Sequence, residues 1–203
     1  MNLLRREEKL KKLSVKSFVA IGMLSSLSFL LMMIKFPIPP FPAWLSVDFS
    51  DIPALIAALL FGPIAAVLVE LFKNILDYVM SGSEAGLPIG NMANFLAGIT
   101  FVLPTYFVYN RLKTKKGLVV SLITGITVMS VIMSILNYFF ILPAYIYLLG
   151  YWDPMSTSAL RQLVVAAILP FNLIKGLIVA VIFILLYNRM KGWIDKQLSY
   201  RGA

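Results

Sequence analysis

Residues 163–186 read LVVAAILPFNLIKGLIVAVIFILL. Apart from LPFNLIKG at 169–176, the run is almost wholly apolar, with the length and character of a membrane span. Its middle holds an amide, Asn172, and an ammonium, Lys175. They are three residues apart, so on a helix they share a face. A charge deep in a bilayer is costly, and ionisable groups there mark functional sites. The fold and the task of this chain both hang on what surrounds those two residues.

The remaining sequence is of the same kind. Of 203 residues, 60% are hydrophobic and 13% are charged, with a mean hydropathy of +0.89. A soluble domain carries about a quarter charged residues, so this is an integral membrane protein. Lys and Arg outnumber Asp and Glu by 18 to 9. In a soluble chain that excess would suggest nucleic acid. Here the basic residues flank apolar runs and read as topology signals, so no nucleic-acid partner is expected. Cysteine and histidine are absent, which removes disulfides, thiolate chemistry, the commonest metal ligand and the commonest general base. The charged start MNLLRREEKLKKLSVK lacks a small-residue cleavage site and does not read as a removed signal peptide.

Apolar runs place helices at about 17–34, 52–61, 63–80, 93–110, 118–142 and 163–187. KFPIPPFP at 35–42 ends the first, because prolines forbid helix there. FGP at 61–63 splits the second from the third. A basic turn, RLKTKKG, lies at 111–117, and a loop around 150–160 holds GYWDPMSTSAL. The expectation is an all-α membrane bundle of six transmembrane helices over 17–188, with a basic N-terminus at 1–16 and a basic tail at 189–203. Arg5, Arg6, Lys9, Lys11, Lys12, Lys16, Arg111, Lys113, Lys115, Lys116, Arg189, Lys191, Lys196 and Arg201 then share one side. The other side keeps Lys35 and Arg161 with Asp48, Asp51, Glu84 and Asp153. Both termini are therefore expected in the cytoplasm.

Chemistry is sparse. No G-x-x-x-x-G-K-[ST] motif is present, so the chain has no P-loop of its own. No H-E-x-x-H is possible without histidine. A serine–lysine dyad through Lys175 is conceivable, but serines in membrane helices mostly permit close packing or bond to the backbone. The intramembrane polar groups gather towards the external half. They are Asn172 and Lys175, Asn137 in SILNYFFILP, Asn91 and Asn94 in GNMANF, and Asp48 and Asp51 in LSVDFSD. One polar pocket open to the exterior explains them all. Glu70, Lys73 and Asp77 in VELFKNILDYV lie on one face and read as a structural, mutually neutralising set. With Phe49, Phe95, Tyr138, Phe139, Phe140 and Phe171 nearby, the pocket suits a flat heterocycle with a polar edge. The cytoplasmic halves, such as VVSLITGITVMS and LIVAVIFILLYN, carry only hydroxyls and small residues, so the site is a cup and not a channel. The residues themselves reach a small organic solute, bound from outside.

FPIPPFPAWLSVDFSDIPALIAALLFGP, GNMANFLAG, SILNYFFILP and LPFNLIKG, in this order over about residues 16–190, resemble the riboflavin-specific S components of energy-coupling factor (ECF) transporters. The resemblance implies a six-helix S-component fold in a bacterial plasma membrane and high-affinity riboflavin capture at the outer face. It implies that Asn137, Asn172 and Lys175 hydrogen-bond the polar edge of the isoalloxazine. Leu45, Ser46 and Val47 would close over the ring, beside Asp48, and Asn91, Met92 and Ala93 would line the other side.

It also implies partners: a transmembrane coupling protein (EcfT) and two ABC ATPase subunits (EcfA type). Docking would use small residues of the first helix, here Ala20, Gly22, Ser25, Ser26 and Ser28. The chain itself would be no enzyme and would hold no metal or cofactor, riboflavin being its cargo. The loaded subunit would tip over in the membrane, and ATP hydrolysis by the partners would reset it. The alternatives are an S component for a related flavin or another vitamin, and an autonomous facilitator.

Overall fold

The computed structural model describes residues 15–83, 86–150 and 152–202, with side chains through Ile194. Arg5, Arg6, Lys9, Lys11, Lys12 and Glu84 lie outside the described residues. The chain forms α1 (Val15–Met33), a two-stranded antiparallel ribbon of β1 (Phe36–Pro37) and β2 (Ser46–Val47), α2 (Asp51–Phe61), α3 (Pro63–Ser81) and α4 (Ile89–Leu112). Two long rods follow, α5 (Lys115–Leu148) and α6, which begins at Thr157 and runs to Gly202. Six helices are thus present among the described residues.

The ends follow from local chemistry. Gly62 sits at φ +93°, which an L side chain resists, and its N–H caps α2 on the Ala58 carbonyl. Pro63 then opens α3, where a missing N–H costs nothing. The Thr114 hydroxyl accepts from the Gly117 N–H at 2.8 Å and starts α5. The Ser156 hydroxyl accepts from the Ala159 N–H at 3.2 Å and starts α6.

The two rods are longer than their sequence suggested. α5 continues past Pro143 to Leu148, and α6 starts at Thr157. Each absorbs a proline by widening. A π-helical turn, Asn137–Ile141, precedes Pro143, and another, Val164–Ile168, precedes Pro170. The wider turn releases the carbonyl that the proline cannot serve. α4 likewise starts at Ile89, ahead of the expected 93. The basic stretch from 189, expected as a tail, continues the α6 backbone to Gly202.

Among the described residues four helices, α1, α4, α5 and α6, are long and apolar enough to span a membrane. α2 has 11 residues, about 16 Å at 1.5 Å per residue, too short for a hydrocarbon core of about 30 Å. It is instead the centre of the bundle, with Ile52, Pro53, Ala54, Leu55, Ala57, Ala58 and Leu60 buried. α1 is inverted relative to a soluble helix: Ser17, Ser25 and Ser28 face inward, while Phe18, Met23, Leu27 and Leu30 face outward. Glycines set the closest crossings. A Cβ on Gly98 would fall 2.1 Å from Glu70 Oε2, and one on Gly125 2.1 Å from Thr105 Oγ1. One on Gly176 would meet Ile126 at 2.8 Å. Small residues at helix contacts are what lets membrane helices approach.

A candidate ligand-binding site

Two buried charged groups, one on α6 and one on α3, organise the site. Lys175 Nζ pairs with Asp48 Oδ2 at 3.2 Å. The other oxygen, Asp48 Oδ1, accepts from the Ser50 N–H at 2.9 Å and from the Ser50 hydroxyl. That hydroxyl in turn accepts from Lys73 Nζ at 2.8 Å. Lys73 reaches Asp51 Oδ1 at 2.7 Å and lies 2.8 Å from Glu70 Oε2. Ser28 of α1 donates to the Ser50 carbonyl. Lys73 and Glu70 are both 0% exposed, so this polar chain is what makes their burial tolerable. It ties α1, the loop before α2, α2, α3 and α6 together. The expected Glu70–Lys73 contact along α3 is present, but Lys73 also pairs across the bundle with Asp51, and Asp77 stands elsewhere.

The Asp48 carboxyl lies in the loop, outside the helices. Burial alone would raise it; the Lys175 ammonium, then Lys73 and the two Ser50 hydrogen bonds, outweigh burial and hold it at about 2.

Against this chain lies a cavity of about 370 Å³, within the range of ligand pockets. Its inner wall holds Asn137, Asn172, Lys175 and Asp48, with Met133, Leu142, Ile168 and Phe171. Both amides are oriented by their own helices. Asn137 Nδ2 donates to the Met133 carbonyl at 2.8 Å, and Asn172 Nδ2 donates to the Ile168 carbonyl at 2.9 Å. Each side-chain carbonyl oxygen is therefore left to accept from a ligand, while Lys175 supplies a cation. Leu45, Ser46, Ala93, Asn91 and Asn94 also line the cavity, and the buried Asn94 Oδ1 has no hydrogen-bond partner among the described residues.

Three expected lining residues, Asp51, Val47 and Met92, do not reach the cavity; Asp51 turns to Lys73 instead. Val47 alternates with Ser46 on β2 and points into the core at 0% exposure. Met92 alternates with the lining pair Asn91 and Ala93 on α4 and is 60% exposed. Of the expected aromatics only Phe171 lines the wall, and Phe139 and Phe140 face outward. The aromatic cover comes from Trp44, Tyr145 and Trp152, which sequence reading missed. Trp152 packs on Trp44 at 5.3 Å and on Tyr145 at 5.2 Å between ring centroids. Their signal was present: Trp44 abuts Leu45 and Ser46 in PAWLS, and Trp152 occupies the loop between the two rods. Lys35 and Asp77 were missed as lining residues as well.

The small-residue set on α1 divides. Ser25 and Ser28 are buried, with Ser25 bonded to the Ile21 carbonyl and Ser28 to that of Ser50, so they cannot form an outer docking face. Gly22 and Ser26 lie on the exposed side and Ala20 at its edge.

Residues 16–187 match the family described as "ECF transporter, substrate-specific component". The chain belongs to this family. As an S component it has close relatives. It is 50% identical to the "Riboflavin transporter FmnP" of Bacillus subtilis (strain 168), over 92% of this chain and 98% of that one. It is 42% identical to the "Riboflavin transporter RibU" of Staphylococcus aureus (strain TCH60), over 93% and 97%. A solved structure titled "Structure and mechanism of the S component of a bacterial ECF transporter" superposes with a TM-score of 0.75 at 41% identity, covering 88% of this S component and 97% of that chain. The resemblance stated for FPIPPFPAWLSVD, GNMANF, SILNYFFILP and LPFNLIKG therefore extends to family and fold, and this S component is a multi-pass membrane protein.

Proposed function

We propose that this chain captures riboflavin at the outer face of a bacterial cell membrane and delivers it inward as the binding subunit of an ECF transporter. The carrying observation is the cavity itself. It brings Asn137, Asn172 and Lys175 to one wall under an aromatic cover, in a chain half identical to a protein named a riboflavin transporter. A planar ring stacks against Trp152 and Phe171, its N–H and carbonyl edge meets the amide oxygens and the ammonium, and Asp48 keeps that ammonium aimed.

The charge distribution supports an orientation with both termini in the cytoplasm and the cavity mouth outside. The absence of a P-loop in the sequence supports dependence on partner ATPases. Gly22 and Ser26, with Ala20 beside them, offer α1's outer face to a transmembrane coupling protein.

The test is purification of the chain alone in detergent, followed by its visible spectrum and a riboflavin titration read by fluorescence quenching. Flavin absorption, or saturable quenching at one riboflavin per chain, is expected. A colourless protein with no quenching overturns the riboflavin assignment. Uptake by vesicles holding the chain without any ATPase partner would overturn the subunit reading and favour a facilitator.

A further inference from the structure

The cavity has two unlike ends. The inner end, at Asn137, Asn172, Lys175 and Asp48, is buried. The outer end is bounded by Lys35, Asp77, Ser81, Gly82 and Asn91 and opens to solvent. Asp77 is half-buried there and fixed: its Oδ2 accepts from Asn91 Nδ2 at 2.7 Å. Its Oδ1 has no hydrogen-bond or ion-pair partner among the described residues, and the residue lines the cavity. Lys35 is exposed, past the end of α1, on a long flexible side chain. The sequence placed Asp77 in a neutralising set with Lys73, but no ion pair to Asp77 occurs among the described residues. A fixed, half-buried carboxylate acts at short range with little screening, whereas a solvated ammonium is largely screened. Asp77 is thus the fixed charge where a ligand's tail leaves the cup.

We propose that Asp77 is a specificity-determining residue that favours a neutral, hydroxyl-bearing tail over a phosphorylated one. The inference rests on the flavin reading above. If the ring lies at the inner wall, the ribityl chain extends to the mouth. A hydroxyl there donates to Asp77 Oδ1. A phosphomonoester, at about −1.5 to −2 at pH 7, meets a like charge instead.

The experiment titrates the full chain in detergent with riboflavin and with flavin mononucleotide at low and high salt, and compares the two affinities as a ratio. Wild type is expected to prefer riboflavin. Asp77→Asn keeps an acceptor and removes the charge, so it should shift the ratio towards flavin mononucleotide by roughly fivefold or more at low salt. Added salt should shrink the difference between variant and wild type. An unchanged ratio in Asp77→Asn, or in Asp77→Ser should Asp77→Asn not fold, overturns the proposal while leaving riboflavin binding in place. Wild type that binds neither flavin removes the reading beneath it, and the inference falls with it.

Discussion

Lys175 shows how far a single residue can be read. Its spacing from Asn172 and its position in an apolar run mark a site, and the sequence alone suggests that removing its buried charge would spare the fold. Asp48 reverses that expectation, because Lys175→Met strands a buried carboxylate that now pairs with Lys175 at 3.2 Å. Breaking one side of such a pair costs about 3–5 kcal/mol. Lys175→Met should therefore lower the melting temperature in detergent, and adding Asp48→Asn should restore most of it. The restored double variant should still bind riboflavin more weakly by at least about 1.5 kcal/mol, the order of one charged hydrogen bond. Equal affinity in the double variant would make the pair structural only.

Asp48 also sets a pH expectation. A carboxyl depressed from 3.8 to about 2 contributes stability that is complete above pH 4 and is lost as pH falls through about 2. The carboxylate therefore stays charged across pH 5–8, and riboflavin affinity at pH 5 and pH 7 should agree within about twofold.

At the scale of elements, close crossings and widened turns decide the site. Gly98 lets α4 lie against the Glu70 carboxylate of α3. Gly98→Ala places a methyl 2.1 Å from Glu70 Oε2, backed by the fixed Lys73–Asp51 pair. It should destabilise by about 2 kcal/mol or more, the order of overpacking a tight interface, and a thermal-unfolding scan would register it. The π turns at Asn137–Ile141 and Val164–Ile168 begin or end at cavity-lining residues, Asn137 and Ile168. Both end on the Ile of an Ile-Leu-Pro triplet, at 141–143 and 168–170, so the sequence carried this signal twice. The aromatic cover belongs to this scale too. Of three tryptophans, Trp44 and Trp152 line the cavity and Trp193 does not. Replacing both lining tryptophans with Phe should abolish most ligand quenching of protein fluorescence, while Trp193→Phe should not. Trp152→Ala should weaken binding by about 1–2 kcal/mol, mainly through faster release.

For the whole molecule, the polar chain from Lys175 through Asp48, Ser50 and Lys73 to Asp51, with Ser28 on the Ser50 carbonyl, spans five segments that apolar packing alone would leave free to slide. Lipid is as apolar as the helices, so in a bilayer such contacts and small-residue packing set the arrangement. A ligand seated on Lys175 therefore stabilises the entire bundle. At a riboflavin concentration of about 1,000 Kd the expected gain is about 4 kcal/mol, visible as a concentration-dependent rise in melting temperature. An unchanged melting temperature at saturating ligand would place binding outside this cavity.

The sequence by itself determined the class, the helix count and the inner wall. Apolar runs, prolines and glycines act locally, and an amide or ammonium inside such a run has few places to go. Asn137, Asn172 and Lys175 were legible for that reason. Only the tertiary structure decided the partners. Asp48 with Lys175, and Asp51 with Lys73, are far apart in sequence. Nothing local separates Asp51 from Asp77 as the counter-charge of Lys73, and nothing local tells Val47 from Ser46 or Met92 from Asn91 as wall residues. Those assignments depend on strand pleat, helix rotation and which helix crosses which at a glycine, and the bundle fixes them only when it closes.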